Sequence, residues 1–166
     1  MKSRLCLQLA VANMILVSPD RIDASKLLRE FENAVGDAGA IVTFSGQVRR
    51  QSASGGVSAL HLQAYKPMTE RGIETALETA QTRWPLSRVQ IVHRTGDMQP
   101  GDTIVFVAAA SKHRRAAFEA ADFLMDYLKT EAVFWKKETT DTGDCWIEPR
   151  AADYDDASRW NEEKVS

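Results

Sequence analysis

The stretch Thr103–Ala110, TIVFVAAA, carries no charged side chain and a single hydroxyl. Eight such residues in a row fit a strand buried on both faces, as a central strand is. The neighbouring segments supply the rest of a sheet. Met14–Ser18 reads as a short first strand, and Ala40–Val48 as a β-rich run with Ile41, Val42, Phe44 and Val48. Val57–Tyr65 alternates, setting Val57, Ala59 and His61 on one face and Leu60 and Leu62 on the other. Val89–Thr95 is another strand, and two more, Val133–Thr139 and Cys145–Glu148, follow the last long helix.

Helices are expected between the strands. Asp23 is placed to cap one that carries Leu27, Leu28, Phe31 and Val35, and Gly36 and Gly39 end it. Pro67 suits the first turn of a second. Along it Ile73, Ala76, Leu77, Ala80 and Trp84 recur at three- and four-residue steps, up to Pro85. Ser111 is expected to cap a third helix over Lys112–Thr130. Tyr154, Ala157 and Trp160, at three-residue steps, suit a short docked helix. Arg49–Gly56 (RRQSASGG) reads as a mobile loop and Gly96–Gly101 as a turn. The expectation is an α+β fold: a mostly antiparallel sheet with packed helices plus a small C-terminal antiparallel sheet.

A chain of 166 residues suits one domain. Residues 14–160 are expected to form it, with 161–166 as a polar tail. Residues 1–13 read as an extension, either disordered or an overcalled start, since a second Met stands at Met14. Lys2 and Arg4 ahead of the apolar run Leu5–Val17 resemble a signal peptide. Gln8 and Asn13 interrupt that run, no small-x-small site follows, and the run is too short to cross a bilayer. A cytoplasmic protein without a membrane partner is expected. Lys and Arg number 21 against 23 Asp and Glu, which argues against a dedicated nucleic-acid binder. Any anion site must be a local cluster. Cys6 and Cys145 have no Cys or His at metal-ligand spacing, so no metal site is expected and both read as ordinary thiols.

Three clusters carry possible chemistry. Ser111-Lys112-His113-Arg114-Arg115 falls at a helix start, where cations oppose the macrodipole. Either an anion sits there on the free N–H groups and basic side chains, or the side chains splay into water. Lys129 lies near the same helix's C-terminus. Strand alternation then puts Phe134, Lys136 and Glu138 on one face and Trp135, Lys137 and Thr139 on the other. Lys129 and Lys136 in one pocket would lower each other's pKa and make a reactive or anion-binding lysine. The alternative is a solvated charged face. In Phe44-Ser45-Gly46-Gln47-Val48-Arg49, a late-strand glycine suggests a bulge or close backbone approach, and Arg49 suits phosphate. His93, in mid-strand, reads as a structural histidine.

Together these segments resemble the molybdopterin synthase large (catalytic) subunit family. The matching stretches are GAIVTFSGQVR (39–49), YKPMTE (65–70), RWPLSRVQIVHRTGDMQPGDTIVFV (83–107), SKHRRAAFEAADFLMDYLKTEAVFWKKE (111–138) and GDCWIEPR (143–150). The resemblance implies an α/β hammerhead fold. It also implies a homodimer carrying one small ubiquitin-like subunit at each end, a heterotetramer. The small subunit's Gly-Gly C-terminus, as a thiocarboxylate, supplies sulfur, so no permanently bound cofactor is implied. The substrate is cyclic pyranopterin monophosphate, also called precursor Z, and two sulfur transfers make the dithiolene of molybdopterin.

Carried over residue by residue, substrate binding falls on Gln47, Val48, Arg49, His113, Arg114, Lys129, Lys136, Lys137 and Glu138. Lys129 and Lys136 are the catalytic pair, and Phe44, Met125 and Arg150 match pocket positions. Val133 departs from the family, which often has Pro there. Two other classes of protein remain conceivable from the residues: a module that only binds a ubiquitin-like tail, and a phosphate-ligand sensor. The intact Lys129, Lys136 and Arg49 set argues against both. His113 and Lys129 are 16 positions apart, which on one helix is about 24 Å. A site shared between two protomers is therefore expected.

Overall fold

The computed structural model describes residues 13–161. The expected extension and tail lie outside the described residues, apart from their inner ends Asn13 and Asn161. Asn13 already belongs to the fold, because its Oδ1 accepts the Val89 N–H at 2.8 Å. The elements are β1 (Met14–Ser18), α1 (Ala24–Ala34), β2 (Ala40–Gln47), β3 (Gln51–Ser52), β4 (Gly55–Ala64), α2 (Lys66–Arg83) and β5 (Leu86–Arg94). Then come β6 (Gly96–Met98), β7 (Thr103–Ser111), α3 (Arg114–Thr130), β8 (Phe134–Thr140), β9 (Gly143–Ile147) and α4 (Ala151–Ser158).

The first sheet has the order β1-β5-β7-β2. Only the β1–β5 pair is parallel. Its interior strand β7 explains the unbroken apolar run. Val105 and Val107 face Ile73, Ala76 and Ala80 of α2 and Phe123, Leu124 and Leu128 of α3. Phe106, Ala108 and Ala110 face the other way, onto Phe31 of α1 and Val35 at its end. Burying a side chain such as Phe106 contributes roughly 1.5–3 kcal/mol. A charge at Val107 would face that interior with no partner. At the far end Ala109 meets Ala120 and Ala121. Three small side chains there let α3 lie close on the sheet.

The second sheet runs β3-β4-β8-β9, with β6 also pairing β4. All its pairs are antiparallel. With the helices on the first sheet, the architecture is α+β, as expected. Four local expectations need correction. The segment read as a mobile loop contains β3, where Gln51 pairs with Gly56 and Ser52 with Gly55. The segment read as a turn contains β6, whose Met98 pairs with Leu60 and is buried. In β4 the register shifts between Val57 and Ala59. That shift turns Val57 to the same buried side as Leu60 and Leu62, so the simple alternation fails there. Finally, Ser111 ends β7 and does not cap α3. Its Oγ donates to the Pro85 carbonyl at 2.8 Å, and the helix starts at Arg114 with no side-chain cap.

α4 docks on α3 largely through Trp160, just beyond its end. The Trp160 ring meets Trp84 and Phe123 edge-on, and its Nε1 donates to Asp126 at 2.6 Å. Tyr154, expected on the same stripe, is exposed.

Candidate functional site

Lys129 stands in the last turn of α3, where a cation suits the helix dipole. The chain then closes tightly. The N–H groups of Glu131 and Ala132 both donate to the Tyr127 carbonyl, at 2.8 and 3.1 Å, and Phe134 N donates to Ala132 O at 2.9 Å. β8 follows, and its alternation sorts the lysines. Phe134 packs inward against two core clusters, Glu138 is 9% exposed, and Lys136 between them is half-buried. On the opposite face Trp135 is 63% exposed. Lys137 there reaches Asp144 at 3.1 Å and lies over the Trp146 ring. The structure therefore does not bring Lys137 together with Lys136.

Burial holds the Lys136 ammonium below its ordinary pKa. The charges of Lys129 and Arg49 lower it further, and Glu138 and Asp153 oppose them. Four side chains thus act on Lys136: Lys129, Arg49, Glu138 and Asp153. Glu138 Oε2 is buried with no hydrogen-bond partner among the described residues.

Arg49 reaches the cluster from a firmly held backbone. Val48 is buried, its N–H donates to Asp102 O at 3.0 Å, and its carbonyl accepts from Gly101 N at 2.9 Å. Asp102 is in turn held by Arg94 at 3.1 Å. Just before it, the register shifts between Gly46 and Gln47, the irregularity that the late-strand glycine suggested. A Cβ on Gly46 would crowd the Val105 side chain at 2.9 Å. Gln47 itself is exposed. Phe44 is 42% exposed on the edge strand β2. Met125, one turn before Lys129, is half-buried beside the core. Arg150 is exposed and ion-paired to Asp153 at 3.1 Å.

The other end of α3 is built differently. Lys112, His113, Arg114 and Arg115 are all exposed and, with Gly39 and Phe118, line a depression of about 570 Å³. A Cβ on Gly39 would run into the Lys112 carbonyl oxygen, so only glycine lets β2 start this close. None of the four basic groups has an ion-pair partner among the described residues. The uncapped N–H groups and these side chains make an anion-receptive surface. Within one chain, His113 and Arg114 stay a helix length from Lys129, as the helix geometry predicted.

Three further residues near the lysines had not been assigned to the site. Asp153 gave no signal beyond its place in α4. Thr69 Oγ1 donates to the Val133 carbonyl at 2.6 Å. His93 is buried, as a structural histidine should be, yet it borders the site. Its ring stacks on Phe134 at 3.9 Å, and burial, with smaller contributions from Lys136 and Lys129, pushes its pKa down to about 4. Its Nδ1 lies 3.1 Å from the Arg94 carbonyl. A carbonyl only accepts, so Nδ1 carries the hydrogen. Cys145 sits opposite Glu138 in the β8–β9 ladder, nearer the cluster than its sequence suggested. Among the described residues no group of three or more His, Cys, Asp or Glu is arranged to hold a metal ion.

Fold and site together define a class: an α+β protein with a paired-lysine site at one end of a helix and an open basic surface at the other. The family model described as MoaE protein matches residues 17–131. The molybdopterin synthase catalytic subunit of Escherichia coli K12 is 51% identical over 122 residues, covering 74% of this chain and 81% of that protein. Among solved structures, the molybdopterin biosynthesis MoaE protein from Burkholderia ambifaria is 39% identical with a TM-score of 0.76. It covers 92% of this chain and 100% of its own. Molybdopterin synthase from Staphylococcus aureus follows at 28% identity and a TM-score of 0.69, with 82% and 96% covered. The chain belongs to the MoaE family, that of the catalytic subunits of molybdopterin synthase. Among the described residues no helix is long and apolar enough to cross a membrane.

Proposed function

We propose that this chain transfers sulfur from the C-terminal thiocarboxylate of a small ubiquitin-like subunit to cyclic pyranopterin monophosphate. Two transfers build the dithiolene of molybdopterin. The observation that carries this reading is the half-buried Lys136, held below its ordinary pKa beside Lys129 and Arg49. Two cations beside a half-buried ammonium suit an anionic tail meeting an anionic substrate.

In this reading Lys129 stands at the reacting carbonyl, where it orients the thiocarboxylate or moves a proton. Lys136 holds the negative charge that develops, and Glu138 orients Lys136. Arg49, His113 and Arg114 take the substrate phosphate. Gln47 and Val48 shape the approach to Arg49, and Phe44 and Met125 contribute apolar walls. Arg150, already paired with Asp153, sets the charge of that side. The assembly is a homodimer with a small subunit at each end, so that His113 and Arg114 of one protomer complete the lysine site of its partner. The sulfur enters with the partner subunit, in the cytoplasm, and no resident cofactor takes part.

The test is dithiolene formation from precursor Z with thiocarboxylated small subunit and this chain. Product that depends on the thiocarboxylate is expected. Binding of the small subunit without product would leave only a tail-binding module and overturn the reading.

A further inference from the structure

The segment Tyr65–Glu70 contributes no side chain to the chemistry above, yet one of its residues is completely buried. Thr69, in the first turn of α2, has no exposed surface. Other threonines of α2 spend their hydroxyls locally: Thr75, Thr79 and Thr82 each donate to the carbonyl four residues back. Thr69 instead donates across to the Val133 carbonyl at 2.6 Å. Val133 ends the connection between Lys129 and Lys136, the point where that connection becomes β8. One residue later the Phe134 ring lies on His93, 3.9 Å between centroids and 20° from parallel. The Nδ1 hydrogen bond to Arg94 fixes that imidazole in turn. The start of β8 is therefore gripped at two consecutive residues, from α2 and from β5.

We propose that Thr69, seconded by His93 on the next residue of the strand, is a positioning residue that helps set the distance between Lys129 and Lys136. The inference rests on the lysine-centred reading of the reaction. Lys129 is fixed by α3, and Lys136 by β8 and its ladder partners Leu62 and Ile147, so the short connection adjusts how the strand start meets the helix end. The two ammonium groups repel one another, and water would stabilise Lys136 better than its half-buried wall does. Both forces drive the strand start outward. A buried hydroxyl on the Val133 carbonyl opposes them, because breaking that bond would leave the Thr69 hydroxyl unpaired in the interior. Neither Thr69 nor His93 touches substrate in this arrangement.

The experiment compares Thr69→Val, which keeps the shape and loses the donor, with Thr69→Ser, which keeps the donor. Three quantities are read: single-turnover sulfur transfer with saturating small subunit, the Lys136 titration by NMR of labelled lysine, and the melting temperature. In Thr69→Val the transfer rate should fall by about 10- to 100-fold, the scale of a misplacement near 1 Å. Small-subunit affinity should stay unchanged, and the Lys136 pKa should rise towards its ordinary value as the side chain reaches water. Thr69→Ser should stay close to the unsubstituted protein in both readouts. A folded Thr69→Val with full transfer and an unmoved Lys136 overturns the proposal. So does Thr69→Ser that loses as much as Thr69→Val, since packing of the methyl group would then be responsible. Should Thr69→Val not fold, His93→Leu read by the same Lys136 titration decides, and an unshifted Lys136 overturns it. If the unsubstituted protein transfers no sulfur, the proposed function fails, while the titration still decides the positioning role.

Discussion

The two ends of α3 carry the basic residues of this protein under opposite electrostatic conditions. At the C-terminal end Lys129 agrees with the helix dipole, worth typically about 0.3–1 kcal/mol. Its neighbour Lys136 is drawn into a wall with Glu138 and Asp153 to offset it. At the N-terminal end Lys112, His113, Arg114 and Arg115 oppose the dipole, without a cap and without an ion-pair partner among the described residues. The first end is compensated from within the chain. The second has no such compensation among the described residues. The two ends thus differ in kind: one sets its lysines among acids of the same chain, and the other leaves its basic groups open to solvent.

The comparison breaks most visibly at Lys129. Lys129→Ala should lower sulfur transfer by about 100-fold or more, the range for a group facing developing charge. Dimerisation and small-subunit binding should persist. Lys137→Ala should be mild, because Lys137 points to Asp144 and Trp146 on the far face. A steady-state assay that ranks the two the other way would reverse the assignment of faces.

The next effect tests whether the two ends meet in a dimer. A His113→Ala/Arg114→Ala chain and a Lys129→Ala chain should each be inactive as homodimers. Their heterodimer should recover about half of normal activity, since twofold symmetry leaves one intact site out of two. Separately tagged chains, purified as heterodimers and assayed, decide it. No recovery would mean that each end works alone.

A smaller, purely electrostatic difference sharpens the contrast. Lys129 lowers the Lys136 pKa, so Lys129→Ala should raise it; Glu138 raises it, so Glu138→Gln should lower it further. The alkaline limb of any reaction that needs the Lys136 ammonium should move in the same senses, upward for the first and downward for the second. His113→Ala/Arg114→Ala should leave the titration of Lys136 unmoved in the isolated protomer. NMR titration of labelled lysine reads all three, and equal shifts from both ends of α3 would erase the distinction.

Much of this arrangement was legible from residues alone, for physical reasons that can be named. The β7 run is apolar on both faces because helices cover both, and a period of two in FWKKE separates Lys136 from Lys137. The misreadings share a cause. Ser111 looks like a cap ahead of a helical run, but β7 pairs through Ser111 on both sides, with Ala40 and Leu86. Its hydroxyl was taken by a carbonyl 26 residues away. β3 and β6, of two and three residues, exist because β4 offers them an edge. Thr69 is an ordinary helix residue until its partner 64 positions away is known. Local pattern identified what each segment prefers. Contacts distant in sequence decided which preference prevailed.

Cys145 offers the smallest effect and a sharp question about where the sulfur resides. It reads as an ordinary thiol, and it pairs with Glu138 across the β8–β9 ladder and shares its face. A thiol there would be a natural sulfur carrier if the chain delivered sulfur itself. Among the described residues the thiol has one hydrogen-bond partner, the Trp146 carbonyl at 3.5 Å, and is partly exposed. A reactive cysteine needs a cation, a helix N-terminus or a base to hold its thiolate. The residue paired with it, Glu138, is neither a cation nor a helix N-terminus. Cys145→Ser should therefore leave transfer from a thiocarboxylated small subunit unchanged, and mass spectrometry during turnover should find no extra sulfur on this chain. A large rate loss in folded Cys145→Ser would place this thiol in the path of sulfur transfer and overturn its reading as an ordinary thiol.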